Sequence, residues 1–251
     1  MQPFIQLINK EIYRFMSIWI QTIVGPVTTA ILYQLIFGHQ LSLLPTGIAG
    51  VNYATFLIPG LVMMQVLQNS FGNGSSSLIQ SKYSGSIIFV LMAPISALQV
   101  YAAYLIGSIA RGIVVGLVVY LSIMWFGDIQ IKNWWAVFYF LIFGCAITGG
   151  LGMIAGIICD KFDQLAGFQS FIMVPLIYLA GVFFNPVNLT DFWKYVAYLN
   201  PFLYIVDGFR YGFIAHSNAN IEFGAVFVFG LALLINFIGY MLMKKGVKIR
   251  H

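Results

Sequence analysis

Asp207 and Arg210 stand three residues apart inside an apolar, aromatic run, YLNPFLYIVDGFRYGF over 198–213. On a helix that spacing brings the two side chains together, so the chemistry expected of them is an ion pair rather than catalysis. Arg111 lies alone in a second apolar run, where a cation costs at least about 2.5 to 3.5 kcal/mol at mid-membrane and must face protein, water or an anionic head group. The three histidines, His39, His216 and His251, fall in loops or the tail, away from any buried nucleophile. No G-x-S-x-G or H-E-x-x-H motif occurs, which disfavours a hydrolase. No G-x-x-x-x-G-K-[ST] occurs either, so the chain has no P-loop of its own. Cys145 and Cys159 sit about 21 Å apart along one expected helix, too far to bridge within the chain, and read as small apolar filler, with an intermolecular or metal role as the other reading. Acidic residues at mid-membrane, the usual mark of ion coupling, are missing from the expected spans.

The elements that must position these residues follow from composition. The 251 residues are 61% hydrophobic and 8% charged, far from the soluble norm of about 25% charged, which makes this an all-α integral membrane protein. A formal charge of +5 does not point to nucleic acid, because Lys244, Lys245, Lys248 and Arg250 gather just after an apolar run, a topology signal. The first apolar run is too long for a signal-peptide core. Six spans are expected, about 16–37, 53–71, 97–126, 134–159, 166–184 and 222–243. They leave both termini on one side, with eight of the twelve Lys and Arg residues (Lys10, Arg14, Lys82, Lys161 and the four of the tail), so that side is the cytoplasm.

Residues 1–15 place Phe4, Ile5, Ile8, Ile12 and Phe15 on one helical stripe, with Gln6, Asn9, Lys10, Glu11 and Arg14 mostly opposite. The stripe predicts an interfacial helix, or else the polar start of the first span. Residues 72–96 turn small and polar, then apolar at Ile87–Met92, which is too short to span; a cytoplasmic loop bearing a short helix is expected there. Gly152 and Gly156 form a small-xxx-small pair, a close-packing signal or simply the glycine content of membrane helices.

Two Asn-Pro pairs, Asn185-Pro186 and Asn200-Pro201, each end one helix and permit another. Short helices over about 191–199 and 201–214 result, neither longer than roughly 21 Å against a hydrocarbon core of about 30 Å. Residues 185–214 are therefore read as a re-entrant hairpin entering from outside.

These segments in this order resemble the ABC-2 type transport permeases. The resemblance is carried by IWIQTIVGPVTTAILYQLIFG (18–38), FLIPGLVMMQV (56–66), MAPIS (92–96), ARG (110–112) and above all YLAGVFFNPVNL with YLNPFLYIVDGFRYGF, and it covers nearly the whole chain as one domain. It implies a homodimer in the bacterial inner membrane, two copies of a separate ABC ATPase that bind ATP and Mg, no metal or catalytic residue here, membrane lipid as surroundings, and an exported lipid-linked, amphipathic or polysaccharide-type cargo. A coupling surface is then expected from Lys82, Tyr83, Gly85, Ile87, Ile88, Phe89, Pro94, Asp160 and Asp163, with a plain surface helix as the other reading of 82–91 and a helix N-cap as the other reading of Asp163. A translocation path or outer gate is expected from Arg111, Tyr198, Asn200, Pro201, Tyr204, Asp207 and Arg210. For Arg111 the choice lies between cargo contact and bonding to backbone carbonyls near the hairpin, and for the tyrosines, with Trp193, Tyr195 and Tyr211, between a cargo path and an interfacial aromatic belt. One departure stands out: 84–92 reads SGSIIFVLM, with no acid where the family commonly carries glutamates. A non-transport membrane scaffold is the rival reading, and a lipid-processing enzyme a weaker one.

Overall fold

The computed structural model describes residues 2–40, 48 and 50–247, and among these the fold is helical with no strand. Lys248, Arg250 and His251 lie outside the described residues, as does most of the loop expected after the first span. The order is α1 (Gln2–Ser17), α2 (Gly25–Gln40), α3 (Tyr53–Tyr83), α4 (Ile87–Met92), α5 (Ala97–Ile123), α6 (Trp134–Ile158), α7 (Phe162–Phe168), α8 (Val174–Tyr178), α9 (Asp191–Leu199), α10 (Pro201–Ile214) and α11 (Ile221–Lys245).

Two π-helical turns, Ile20–Val24 and Gln169–Met173, run straight into α2 and α8. Each ends one residue before a proline-bearing step, Gly25-Pro26 or Val174-Pro175. Proline removes a donor and crowds the preceding turn, and a widened turn absorbs that misfit without breaking the rod.

Among the described residues four stretches are long and apolar enough to cross a bilayer: Ile20–Gly38, Ala97–Phe126, Trp134–Ile158 and Ile221–Lys245. The other two expected spans differ. The α7–α8 rod stops at Tyr178, not near 184, because the chain turns through Gly181, at φ +73, a backbone angle that disfavours side chains. Helix α3 runs 31 residues to Tyr83, through the glycine and serine stretch expected to be loop. That stretch is a packing face. A Cβ on Gly74 would stand 2.6 Å from the Gly149 carbonyl, one on Gly152 2.3 Å from the Phe71 carbonyl, and one on Gly156 2.9 Å from the Ser75 carbonyl. Only residues this small let α3 and α6 backbones touch, and Ser75 returns its hydroxyl to the Phe71 carbonyl at 2.8 Å. The Gly152/Gly156 pair is thus a close-approach motif.

Helix α3 is the hub, buried almost throughout from Phe56 to Phe71. A second core gathers Leu7 of α1, Ile87 of α4, Tyr101 and Tyr104 of α5, Ile157 of α6 and Met243 of α11. The N-terminal helix, α4 and the end of α11 therefore share one pole of the molecule.

Candidate functional site

At that pole the residues expected to form a coupling surface divide in two. Gly85, at φ +69, turns the chain after α3, and the Ile88 amide bonds the Gly85 carbonyl at 3.2 Å. Ala93 is extended, as the residue before Pro94 must be, and Ser96 with Gln99 forms a capping box that opens α5. Between these stops α4 buries Ile87 and exposes Ile88, Phe89 and Met92, the last two at 76% and 77%. Tyr83 is exposed beside them, its ring 6.1 Å from that of Phe162.

Lys82 faces inward instead. Its Nζ donates to the carbonyls of Cys159 at 2.8 Å, Ile157 at 3.0 Å and Gly156 at 3.4 Å, and pairs with Asp160 at 3.5 Å. A cation thus closes the C-terminus of α6, where orphan carbonyls and the helix dipole favour it. Asp163 does not cap α7. Lys161 holds the N-cap position, the Asp160 amide bonds Gln164 Oε1 at 2.9 Å, and Asp163 stays exposed in the first turn, since the helix starts two residues earlier than a cap there requires.

The buried face of α1 differs from the expected apolar stripe. Its buried stripe is Leu7, Glu11 and Phe15, and Glu11 is fully buried rather than on the polar face. The carboxylate is matched by Lys10 at 3.2 Å, Arg14 at 3.4 Å and the Ser77 hydroxyl at 2.6 Å. Arg14 also donates to Asn73 Oδ1 at 2.7 Å and to Ser76 Oγ at 3.3 Å. Charged and amide groups thus clamp α1 to α3. The signal was present in the sequence as Asn69, Asn73 and Ser77, spaced by four along one face of α3.

Arg111 joins this polar file. It is buried, and its Nη2 donates to Asn69 Oδ1 at 3.0 Å, so its partner is a side chain of α3 and not a hairpin carbonyl. The hairpin meets α3 at Phe56 and Gly60, nine residues and about 14 Å from Asn69, which is why Arg111 cannot serve it.

Arg210 takes that role. Its guanidinium donates to the Gly181 carbonyl at 2.7 Å, the Phe56 carbonyl at 3.3 Å and the Val182 carbonyl at 3.4 Å, and lies 3.9 Å over the Phe56 ring. A Cβ on Gly60 would meet it at 2.9 Å. No Asp207–Arg210 ion pair forms, because Asp207 turns to the loop after α10. It accepts from the Ser217 hydroxyl at 2.6 Å and the Asn218 and Ala219 amides at 3.1 Å. Asn200 caps α10 through the Phe202 amide at 3.0 Å and reaches back to the Leu176 carbonyl at 2.6 Å, with Pro201 in the first turn. Tyr198 donates to the Asn218 carbonyl at 3.2 Å and Tyr204 to the Tyr198 carbonyl at 3.0 Å, with the Tyr204 ring against Phe223 and Phe227 of α11. These tyrosines brace the hairpin, while Trp193 and Tyr195 are exposed.

A bundle of apolar helices with a polar-tethered N-terminal helix and a short apolar helix at one pole and a stapled hairpin at the other defines a multi-pass membrane protein. The model of the ABC-2 type transporter family matches residues 2–214, and the chain belongs to that family. Over 243 residues, 96% of this chain and 94% of the relative, it is 35% identical to the "Inner membrane transport permease YadH" of Escherichia coli strain K12, and equally to proteins of that name in Escherichia coli O157:H7 and Shigella flexneri. It is a transport permease of the inner membrane.

Proposed function

We propose that this chain is the membrane subunit of an ATP-driven exporter, acting as a homodimer with two copies of a separate ABC ATPase that bind ATP and Mg. The observation that carries the reading is α4, a helix of six residues anchored by Ile87 with Ile88, Phe89 and Met92 left bare. A short apolar face on a membrane subunit without a P-loop calls for a partner's groove. Tyr83 extends that face, Gly85 and Pro94 set its limits, Asp163 lies exposed nearby, and Lys82 with Asp160 holds its base rigid.

In this reading the six spans are α2, α3, α5, α6, the α7–α8 rod and α11. Helix α1 lies along the cytoplasmic surface, α4 is the coupling helix, both termini are cytoplasmic, and α9–α10 is a re-entrant hairpin at the outer mouth. Closure of the ATPase pair on ATP would press α4 and α1, and the Glu11–Arg14 clamp would pass that displacement to α3. Arg111, Tyr198, Asn200, Pro201, Tyr204, Asp207 and Arg210 would shape the path and its gate by holding these elements. The cargo is lipid-linked, amphipathic or polysaccharide-like.

Purification from the native host in mild detergent tests the reading. Two permeases with two P-loop ATPases are expected, and Ile88→Ser with Phe89→Ser should abolish that association while the protein still reaches the membrane. A chain that emerges with a partner lacking a P-loop would replace the exporter by a membrane scaffold.

A further inference from the structure

The last turns of α3 and the inner side of α1 enclose a cleft of about 310 Å³ next to α4. Lys10 and Arg14 enter it from α1, and Ser77, Ser81, Ser84 and Ser86 line the facing wall. Among the described residues no carboxylate lines the cleft. Lys10 and Arg14 both contact the single buried carboxylate of Glu11, at 3.2 and 3.4 Å, so two cations share one anion and one positive charge stays uncompensated at the cleft. The Ser84 and Ser86 hydroxyls stand 2.8 Å apart, and their contacts with the Ser81 carbonyl are long at 3.5 Å. Hydroxyl hydrogens beside a cation are what an anionic oxygen recruits.

The face of α1 beside the cleft suits a lipid. Helix α1 exposes Ile5, Tyr13 and Met16 together with Lys10, a mixture that rests at the boundary between acyl chains and head groups. We propose that this cleft binds a phosphate-bearing anion, the head group of an anionic phospholipid in the leaflet where α1 lies. Lys10 and Arg14 supply the charge, Ser84 and Ser86 donate to the phosphate oxygens while Ser77 stays on Glu11, and the apolar rim of α1 takes the chains. The proposal rests on the surface placement of α1 and not on the ATPase.

The test uses purified, delipidated full-length protein titrated with phosphatidylglycerol, phosphatidylcholine or inorganic phosphate and read by native mass spectrometry. Phosphatidylglycerol should bind about tenfold more tightly than phosphatidylcholine, the equivalent of one good charge-assisted contact. Lys10→Gln with Ser84→Ala and Ser86→Ala should remove that preference in protein that still folds and melts cooperatively, and Lys10→Arg should keep it. Displacement by millimolar inorganic phosphate would support the site and show that soluble phosphates can also occupy it. Equal affinity for the two lipids, or an unaltered preference in the triple variant, would overturn the proposal.

Discussion

Arg210 sits with its guanidinium 3.9 Å above the ring of Phe56 and donates to the carbonyl of the same residue at 3.3 Å. One side chain of α10 thereby grips α3 through both its ring and its backbone, and through the Gly181 carbonyl it also holds the turn that follows α8.

Removing that staple should be costly. Arg210→Met strips charged donors from three buried carbonyls, and a loss of about 3 kcal/mol is expected. A thermal melt in detergent, run beside Arg210→Lys, measures it. Lysine, a point charge without the planar fork, should recover only part of the loss.

The α3–α6 contact predicts opposite outcomes for neighbouring glycines. Gly152→Ala drives a methyl into the Phe71 carbonyl and should lower stability by about 1 to 3 kcal/mol or more. Gly72→Ala, with nothing within 4 Å of its Cβ, should be neutral or slightly stabilising. Expression level and melting midpoint of the two variants compare them directly.

Glu11 and Arg14 should behave as a unit. Either replacement by alanine weakens the match of a buried charge and should cost about 1 to 3 kcal/mol, Lys10 and Ser77 keeping part of the hold on Glu11, while the double variant should cost less than the two losses added together. A double-mutant cycle on melting midpoints reads the coupling, and strict additivity would contradict the clamp.

Lys82→Met should loosen the end of α6 without unfolding the bundle. Hydrogen exchange of the amides over 156–161 is expected to quicken while that of α5 stays slow, because three carbonyls lose their cation.

Much of the fold was legible in the residue order. Around Asn200-Pro201 one short helix ends and the next begins where proline chemistry demands, at Leu199 and Pro201. The short apolar helix over Ile87–Met92 follows in the same way from its flanking Gly85 and Pro94. Residues 72–83 misled, because glycine and serine mark loops in water but backbone contacts between helices in lipid. Asp207 and Arg210 misled through their spacing, which offers a pair that better partners in space forestall.

The sequence by itself determined a helical membrane chain, the places where its helices must break, and its kinship, since proline geometry, apolar composition and motif order act locally or are read in line. Tertiary structure alone decided which partners the charges of Glu11, Lys82, Arg111, Asp207 and Arg210 would find. A charge taken out of water must be matched by whatever the fold brings within about 3 Å, and that neighbour is set by how distant helices pack, not by the residue three or four places along.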